Sequence, residues 1–369
     1  MFANAIYHCR LLSVAVLVIT CTVDPAPLVA QSAEVNPADA KSVDDDKTPA
    51  SQRPATVGFH CTQTESALIV SYGDAEVLRY NIVAPKPTDP AHSVYQRSGY
   101  IHPLYSPSGK LVSGDFAPDH PHQHGLFAAW TNTSFRGKPV DFWNQGKSAG
   151  LVLHDRVIAI DNQQHTASFQ VGLNHAAIDE DGNRTVILDD VWTVAVSLAD
   201  QTDQTAARYV IDFSIAQTNI TEHPLTINEY HYGGIGFRGN NDWYTAAGTK
   251  ALNEQSKSKS KQPAPPIAVT RHQFLTSEGH DRFQGNHSRP DWTSLYGIVQ
   301  AGDADDQDTA LAGIKFRGDP NDLFYPHPVR LHPNKPYFSV SPCVLGTFDI
   351  NPGDTFRARG SFEIFDGQP

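Results

Sequence analysis

The stretch SALIVSYGDAEVLRYNIV, residues 66–83, carries two short apolar runs on either side of Gly73-Asp74. Two such runs joined by a Gly-Asp pair are typical of a β-hairpin, because these residues tolerate the backbone angles of a tight turn. The same pattern recurs in residues 168–200, where Asp181-Gly182 marks the turn, and residues 207–219 alternate apolar and polar positions. Such alternation predicts a half-buried strand. Further strands are predicted at residues 291–301, 309–316, 336–348 and 354–367.

This succession of strands predicts an all-β fold. No amphipathic helical run of twelve or more residues is found beyond residue 33. The chain after residue 57 is far longer than an immunoglobulin-sized sandwich of about a hundred residues, and no Pro/Gly-rich linker divides it. We therefore predict one large antiparallel β-sandwich of supersandwich type, residues 58–369, with long functional loops. Residues 250–269, KALNEQSKSKSKQPAPPIAV, are expected to form a surface loop of this domain.

The first 33 residues have the layout of a secretory signal peptide. Arg10 precedes an apolar run at residues 11–20, and small residues follow at Ala30 and Ala33. The run is shorter than a membrane-spanning helix requires. Residues 34–57 are rich in Pro, Ala and Asp and predict a disordered linker. We expect a protein without a membrane span, located in the periplasm or outside the cell.

Two cysteines, Cys61 and Cys343, follow the predicted signal peptide. In an oxidising compartment they can form a disulfide between the first and the last strand regions. Two buried, unpaired thiols are the alternative.

The charge of the chain restricts its partners. The 369 residues carry a formal charge of −12, which argues against nucleic acid and against an anionic membrane surface, because both require clustered Lys and Arg. We expect a small-molecule or oligosaccharide ligand. The oligomeric state is left open.

Three clusters of polar residues fall in loops or at strand ends, where a rigid β scaffold usually carries its sites. The first is YIHPLYSPSGK (residues 100–110), with His102, followed shortly by DHPHQHG (residues 119–125), which places His120, His122 and His124 at every second position. In an extended chain these three imidazoles would share one face. The second cluster is NEYHYGGIGFRGNNDW (residues 228–243), and the third is FYPHPVRLHP (residues 324–333).

Acid–base chemistry on a sugar is the function that these clusters favour. Histidine titrates near neutral pH, a carboxylate can orient it, and arginine can hold a carboxylate or a pair of hydroxyl groups. We predict His124 and His231 as proton-transfer residues, with Glu229 as base or orienting group. The predicted substrate-binding residues are His102, His122, Asp141, Trp143, Arg238 and His327, and Trp130 and Trp243 offer further apolar faces. The expected protein is a carbohydrate-active hydrolase, lyase or isomerase.

Two alternatives stay open at this point. His120, His122 and His124 can bind a divalent metal from one face of a strand, which would make the protein a metal-dependent enzyme. Apart from such a metal, no cofactor is predicted. A noncatalytic carbohydrate-binding protein would use the same aromatic side chains without proton transfer.

Residues 100–147, together with YHYGGIGFRG (230–239) and HPVRLHP (327–333), resemble the PmoA-like family of secreted bacterial proteins. The family's run His-Pro-His-His/Gln-x-Gly is matched by residues 120–125, and its Val-Asp-Phe-Trp run by residues 140–143. The resemblance implies a secreted, β-rich domain. The family's label, methane oxygenase, implies an oxygenase, but the membrane subunit of that name has many membrane-spanning helices, and this sequence has no such segment after its signal. A weaker similarity of the HPHQHG loop to galactose-mutarotase-like supersandwiches implies sugar binding through histidine and a carboxylate.

Overall fold

β-strands dominate the computed structural model, which describes residues 57–199, 207–257, 263–299 and 311–369. The described strands are, in chain order, β1 (Phe59–Gln63), β2 (Ala67–Tyr72), β3 (Ala75–Asn81), β4 (Ile101–Leu104), β5 (Leu126–Ala129), β6 (Thr133–Phe135), β7 (Lys138–Val140), β8 (Gly150–Gln163), β9 (Thr166–Ile178), β10 (Arg184–Leu198), β11 (Arg208–Asn219), β12 (Leu225–Ile227), β13 (Gly234–Arg238), β14 (His272–Thr276), β15 (Trp292–Ile298), β16 (Leu311–Gly318), β17 (Val329–Leu331), β18 (Tyr337–Val340), β19 (Phe348–Ile350) and β20 (Thr355–Asp366). The described α-helices are α1 (Ala246–Lys257) and α2 (Ile267–Thr270). Short 3₁₀ helices lie at Pro90–Tyr95, Gln145–Lys147, Asn241–Trp243 and Pro342–Leu345.

The predicted N-terminal segments fall outside this description. The signal peptide predicted at residues 1–33 and the linker predicted at residues 34–57, except Val57, lie outside the described residues. The described residues belong to one compact unit. None of the described helices is long and apolar enough to cross a membrane.

The described strands form three antiparallel sheets. The first sheet has the order β1-β2-β3-β4-β5-β13-β18-β17, the second β14-β15-β16-β20-β11-β10-β9-β8, and the small third sheet β19-β12-β6-β7. Many neighbours are simple hairpins, but β13 lies between β5 and β18. The centre of the first sheet therefore brings together segments that are far apart in sequence.

The hydrophobic core lies between the first and the second sheet. The ring of Tyr80 on β3 has its centroid 5.7 Å from that of Phe169 on β9 and 6.0 Å from that of Trp192 on β10. Ile235 on β13 faces Ile215 on β11 across a small gap between the sheets. Because side chains alternate along a strand, the residue after Ile235 faces the opposite side of the first sheet. We call this side the outer face.

The architecture confirms the predicted all-β sandwich and two of its turns. Gly73 lies between β2 and β3, and Gly182 lies between β9 and β10. Both glycines have a positive φ, 58° and 82°. This left-handed region favours glycine over other residues. Each glycine therefore lies in a turn where the sequence predicts one.

The expectation that residues 250–269 form a surface loop is wrong for part of this range, because α1 and α2 are helical. In α1 only Gly248 and Leu252 are buried. The helix therefore lacks the apolar stripe by which an amphipathic helix is recognised.

The two cysteines among the described residues, Cys61 and Cys343, are free thiols, and both are buried. The structure therefore agrees with the second alternative considered for them, two buried and unpaired thiols. Burial raises the pKa of Cys61 to about 11 and that of Cys343 to about 12. Both thiols are therefore protonated at neutral pH, which is the inert form of the side chain.

Candidate functional site

A cavity of about 260 Å³ collects residues from all three sequence clusters. It is lined by imidazole, phenol, indole, amide and guanidinium groups, which belong to His120, His122, Gln123, Trp143, Asn144, Tyr230, His231, Tyr232, Arg330, His332 and Tyr337. These residues lie before β5, after β7, before β13, and on or next to β17 and β18. Because β5, β13, β18 and β17 are neighbours in the first sheet, the sheet order places the clusters side by side.

Trp143 forms the floor of this cavity on the outer face of the first sheet. Its side chain is fully buried, and a Cβ atom added to Gly236 of β13 would lie 2.6 Å from its Cη2 atom. Only glycine permits this approach of the indole to the strand. The Trp143 ring centroid lies 4.6 Å from that of Phe127, 5.3 Å from that of Tyr232 and 5.9 Å from that of Tyr337. Its Nε1–H group has no hydrogen-bond partner within the described residues.

The HPHQHG segment folds into two successive turns. The backbone N–H of His120 donates to the carbonyl of Ala117 over 3.1 Å, and that of Gln123 donates to the carbonyl of His120 over 2.9 Å. Pro118 and Pro121 favour such turns and cannot donate to a strand ladder. The expectation of an extended chain with three histidines on one face is therefore wrong.

The turns separate His124 from the other two histidines. His120 and His122 line the cavity, and their ring centroids lie 5.3 Å apart. His124 is fully buried, with Nδ1 2.5 Å from Oδ1 of Asp115 and Nε2 3.0 Å from the carbonyl oxygen of Tyr95. Both ring nitrogens face acceptors, so His124 would have to break a contact before it could exchange a proton with a ligand. The structure thus gives His124 a place in the framework of the loop and not in the lining.

Asp119 is a buried carboxylate that supports the lining from behind. It accepts hydrogen bonds from Nη2 of Arg238 at 2.6 Å, from Nζ of Lys335 at 2.9 Å and from Nδ1 of His120 at 3.0 Å. Burial raises the pKa of Asp119, but the hydrogen bonds from His120 and Arg238 outweigh it and hold the pKa well below its usual range. Nδ1 of His120 is the donor in this contact, because an ionised carboxylate only accepts hydrogen bonds.

Arg238, a predicted substrate-binding residue, forms an ion pair with Asp119 instead. Its side chain is fully buried, and besides Asp119 it contacts Oε1 of Gln123 at 3.0 Å. Arg238 therefore positions the loop that carries His120 and Gln123, and it is not part of the lining.

His122 and His332 are neutral imidazoles at neutral pH. Burial, together with the charge of His120, lowers the pKa of His122 to about 4. Burial and the charge of Arg330 lower the pKa of His332 to about 2. Nδ1 of His332 accepts the backbone N–H of Asn334 at 3.3 Å, which leaves the ring proton on Nε2 as a donor.

His231 is the exposed imidazole of the lining. Partial burial and the charge of Arg330 lower its pKa below the ordinary value, so the ring is a neutral base. Its backbone carbonyl accepts the Nε2–H of His287 at 3.1 Å, and Nη1 of Arg330 donates to Oδ1 of Asn286 at 3.0 Å. The structure thus brings the predicted proton-transfer residue His231 into the cavity.

Asp141 organises the turn that presents Trp143 and Asn144. Its Oδ1 accepts the backbone N–H of Trp143 at 3.1 Å and that of Asn144 at 2.9 Å, and its Oδ2 accepts Nζ of Lys147 at 2.8 Å. Nδ2 of Asn144 in turn donates to Oη of Tyr232 at 3.2 Å. Asp141 therefore positions Trp143 and Asn144. It was predicted to bind substrate, but it does not itself line the cavity.

Three other predicted site residues lie outside the lining. Glu229 is exposed. Nδ1 of His102 lies 2.8 Å from Oγ of Ser113, and Nε2 of His327 lies 3.2 Å from Oδ2 of Asp322. His327 borders the small gap between the two large sheets instead. Trp130 and Trp243, considered as apolar faces for a sugar, are buried core residues and do not line the cavity.

Several residues of the lining were not predicted from the sequence. Gln123, Asn144, Tyr230, Tyr232 and Tyr337 were not selected, and in the third cluster His327 was chosen in place of Arg330 and His332. The spacing of Arg330 and His332 predicts that their side chains lie on the same side of a strand, because residues two apart on a strand share one face. Leu331 between them is buried, which assigns the other two to the exposed side.

Within the described ranges, no group of three or more His, Cys, Asp or Glu side chains is arranged to hold a metal ion. The predicted ligand set of His120, His122 and His124 is divided by the turns described above. The ring of His332 approaches that of His120 instead, with a centroid distance of 6.1 Å.

No curated protein matches the sequence. Among solved structures, the chain is similar to the GH36 α-galactosidase AgaA of Geobacillus stearothermophilus, determined in complex with raffinose, at 12% sequence identity and a TM-score of 0.28. The match covers 85% of this chain and 40% of that chain, so this chain spans about two fifths of the enzyme's length. A likeness at this TM-score carries no inference about function.

The family assignment rests on a family model that matches residues 67–369. This range begins at the first residue of β2 and contains every residue of the cavity lining. The chain belongs to the family of unknown function DUF6807.

Proposed function

We propose that the protein binds a sugar in the cavity on the outer face of the first sheet and acts on it by acid–base chemistry. The observation that carries this proposal is the convergence of His120, His122, His231 and His332 with Trp143 around one cavity. The four imidazoles come from three separate segments of the chain. Imidazoles are suited to proton transfer at neutral pH.

The lining contains both partners that acid–base catalysis requires. His231 is a neutral ring next to the cavity mouth and is assigned as the base. The phenol of Tyr232 is assigned as the acid, because burial raises its pKa and keeps its proton in place. The Nε2–H of His332 is a further donor. General acid–base catalysis by positioned groups contributes about 10²–10⁴-fold to a rate.

A sugar fits the remaining features of the lining. The partly exposed rings of Tyr230 and Tyr232 give apolar surface beside the buried indole of Trp143, and the amides of Gln123 and Asn144 give hydrogen-bonding groups. Small-ligand sites usually measure roughly 300–1,000 Å³. A cavity of about 260 Å³ therefore suits one or two sugar rings, and a longer chain would extend into solvent. Export of the protein, predicted from residues 1–33, belongs to the same proposal.

The proposal is tested by incubating the purified protein with a panel of neutral and acidic oligosaccharides and separating the products. We expect turnover of at least one of them, loss of turnover with retained binding in His231→Gln, and wild-type turnover in His60→Gln. His60 is exposed on β1, outside the lining, and is the matched control. A panel that is neither bound nor changed contradicts the proposal. Binding without any product identifies a noncatalytic carbohydrate-binding protein instead.

A metal-dependent enzyme is the second candidate, and one contact favours it. Asp119 holds Nδ1 of His120, as carboxylates commonly do behind a metal-bound imidazole. Elemental analysis of the purified protein before and after chelation separates the two candidates. About one transition metal per chain, lost in His120→Ala, favours the metal-dependent enzyme, whereas a metal-free protein that turns over a sugar favours the acid–base enzyme.

A further inference from the structure

Arg330 is a cation of the lining that lacks an acidic partner. It is half-buried, and its Nη1 donates to the neutral amide oxygen of Asn286 at 3.0 Å. No ion pair of Arg330 is present within the described residues. Arg238 and Lys335, by contrast, both contact the buried carboxylate of Asp119.

The surroundings of Arg330 are neutral rings. His231 and His332 line the same cavity as Arg330, and the charge of Arg330 lowers the pKa of both and that of His287. Behind the lining, two cations share the single carboxylate of Asp119. The cavity therefore has an excess of positive charge, and a guanidinium in such a place is suited to hold a carboxylate.

Trp143 gives a second, independent indication of a ligand with acceptor oxygens. Its side chain is fully buried and lines the cavity, and its Nε1–H has no partner within the described residues. A buried donor without a partner is unfavourable unless a ligand or water accepts from it. The lining itself offers the guanidinium of Arg330 and the Nε2–H of His332 to the oxygens of a ligand.

We propose that the sugar is a uronic acid whose carboxylate binds the guanidinium of Arg330, an inference that rests on the proposed function. A carboxylate at Arg330 lies next to His231, the assigned base. A base beside a bound carboxylate is suited to remove the proton from the carbon that bears the carboxyl group, and the reaction that we assign to the site is β-elimination.

The elimination step balances with the groups present. His231 removes the proton from the carbon that bears the carboxyl group, and the electron pair of that C–H bond forms a C=C bond to the neighbouring carbon. The bond from that carbon to the glycosidic oxygen breaks, and the departing oxygen takes the proton of the Tyr232 phenol. Solvent then returns the proton from His231 to Tyr232. Arg330 neutralises the carboxylate and so stabilises the charge that develops when the proton leaves. No water, oxidant or reductant is consumed.

The test compares uronate oligosaccharides with the same oligosaccharides after reduction of each carboxyl group to a hydroxymethyl group. We expect reduction to weaken binding to the wild type by about ten- to a hundredfold. Arg330→Gln should bind both forms equally weakly, and Arg330→Lys should keep part of the preference, because lysine retains the charge without the bidentate geometry. Arg184→Gln, an exposed residue of β10, is the matched control and should keep the wild-type preference. Thermal unfolding shows that each variant is folded.

The outcomes separate this inference from the proposed function. Equal binding of acid and reduced forms by the wild type, or a preference for the acid that survives in Arg330→Gln, overturns the carboxylate assignment. Products that carry an added water and lack the ultraviolet absorbance of a conjugated C=C bond overturn the elimination. Turnover of neutral sugars alone overturns the inference and leaves the proposed function intact. If no saccharide of either kind binds, the proposed function itself fails.

Discussion

Oδ1 of Asp119 lies 2.6 Å from Nη2 of Arg238, and both side chains are buried, with exposures of 3% and 0%. This ion pair joins the loop before β5 to the end of β13. The same carboxylate holds Nδ1 of His120. One buried pair therefore fixes both the loop and the orientation of an imidazole in the cavity.

Removal of this carboxylate is expected to destabilise the fold. Asp119→Asn leaves Arg238 buried without its counter-charge, so the free energy of unfolding should fall by about 3–5 kcal/mol. Urea denaturation measures the change. Asp74→Asn, in the exposed turn after β2, is the control and should change the value by less than about 0.5 kcal/mol.

The double variant Asp119→Asn/Arg238→Gln sharpens this test. Because it removes both charges, it should recover part of the loss. A double variant that is as unstable as the sum of the two single variants would show that the ion pair does not carry the effect.

Acidification is expected to weaken the fold through His122 and His332. An unfolded histidine has a pKa of about 6.5, whereas the folded values are about 4 and about 2. Below about pH 6.5 the unfolded chain binds protons that the folded protein does not bind, so stability falls as the pH decreases through this range. The loss continues down to the folded pKa of each residue.

Denaturation between about pH 7 and about pH 5 isolates the histidines, because carboxylates titrate mainly below this range. In His122→Gln/His332→Gln, unfolding at about pH 5 should take up roughly two protons fewer than in the wild type. A wild-type pH dependence in this double variant would mean that the two rings are not neutral in the folded protein.

Gly236→Ala is expected to disturb the floor of the cavity. The added Cβ would meet Cη2 of Trp143 at 2.6 Å and Cζ of Phe127 at 2.9 Å. Such overpacking costs about 1–3 kcal/mol, and displacement of the indole should also weaken ligand binding. Gly172→Ala is the control, because there the new Cβ meets the flexible guanidinium of Arg156. Equal effects of the two substitutions on ligand binding would contradict the place of Trp143 in the site.

Asp190 should matter for stability and not for ligand binding. Its Oδ2 accepts from Nε2 of His175, Nε1 of Trp192 and Nε2 of Gln217, all in the core, at 2.9–3.0 Å. Asp190→Ala leaves these donors unpaired and should cost at least about 3 kcal/mol. Asp212→Ala, exposed on β11, is the control for stability. A loss of ligand affinity in folded Asp190→Ala would show a coupling between core and cavity that the structure does not contain.

Local sequence patterns predicted the strands and the hairpins well. The turns at Gly73 and Gly182 depend on residues next to one another in the chain, and the structure has them where the sequence places them. The helix at Ala246–Lys257 was missed because it buries little apolar surface. The surrounding fold stabilises this helix, and a local pattern of hydrophobic residues does not reveal such stabilisation.

The site depended on information that a local pattern does not contain. The three clusters meet because β13 is inserted between β5 and β18, and such a crossing is a property of the whole chain. The direction of His124 was mispredicted for a local reason: the alternation of side chains holds only in an extended strand, and the turns at Pro118 and Pro121 break it. His122 and His231 were both selected from the sequence as site residues, and both lie in the lining of the cavity.

The most direct test of the central claim is a crystal structure of His231→Gln soaked with an oligosaccharide that the wild type converts. The account predicts a sugar ring in the cavity whose floor is Trp143. A sugar bound elsewhere, with the cavity empty, would contradict the assignment of this cavity as the site.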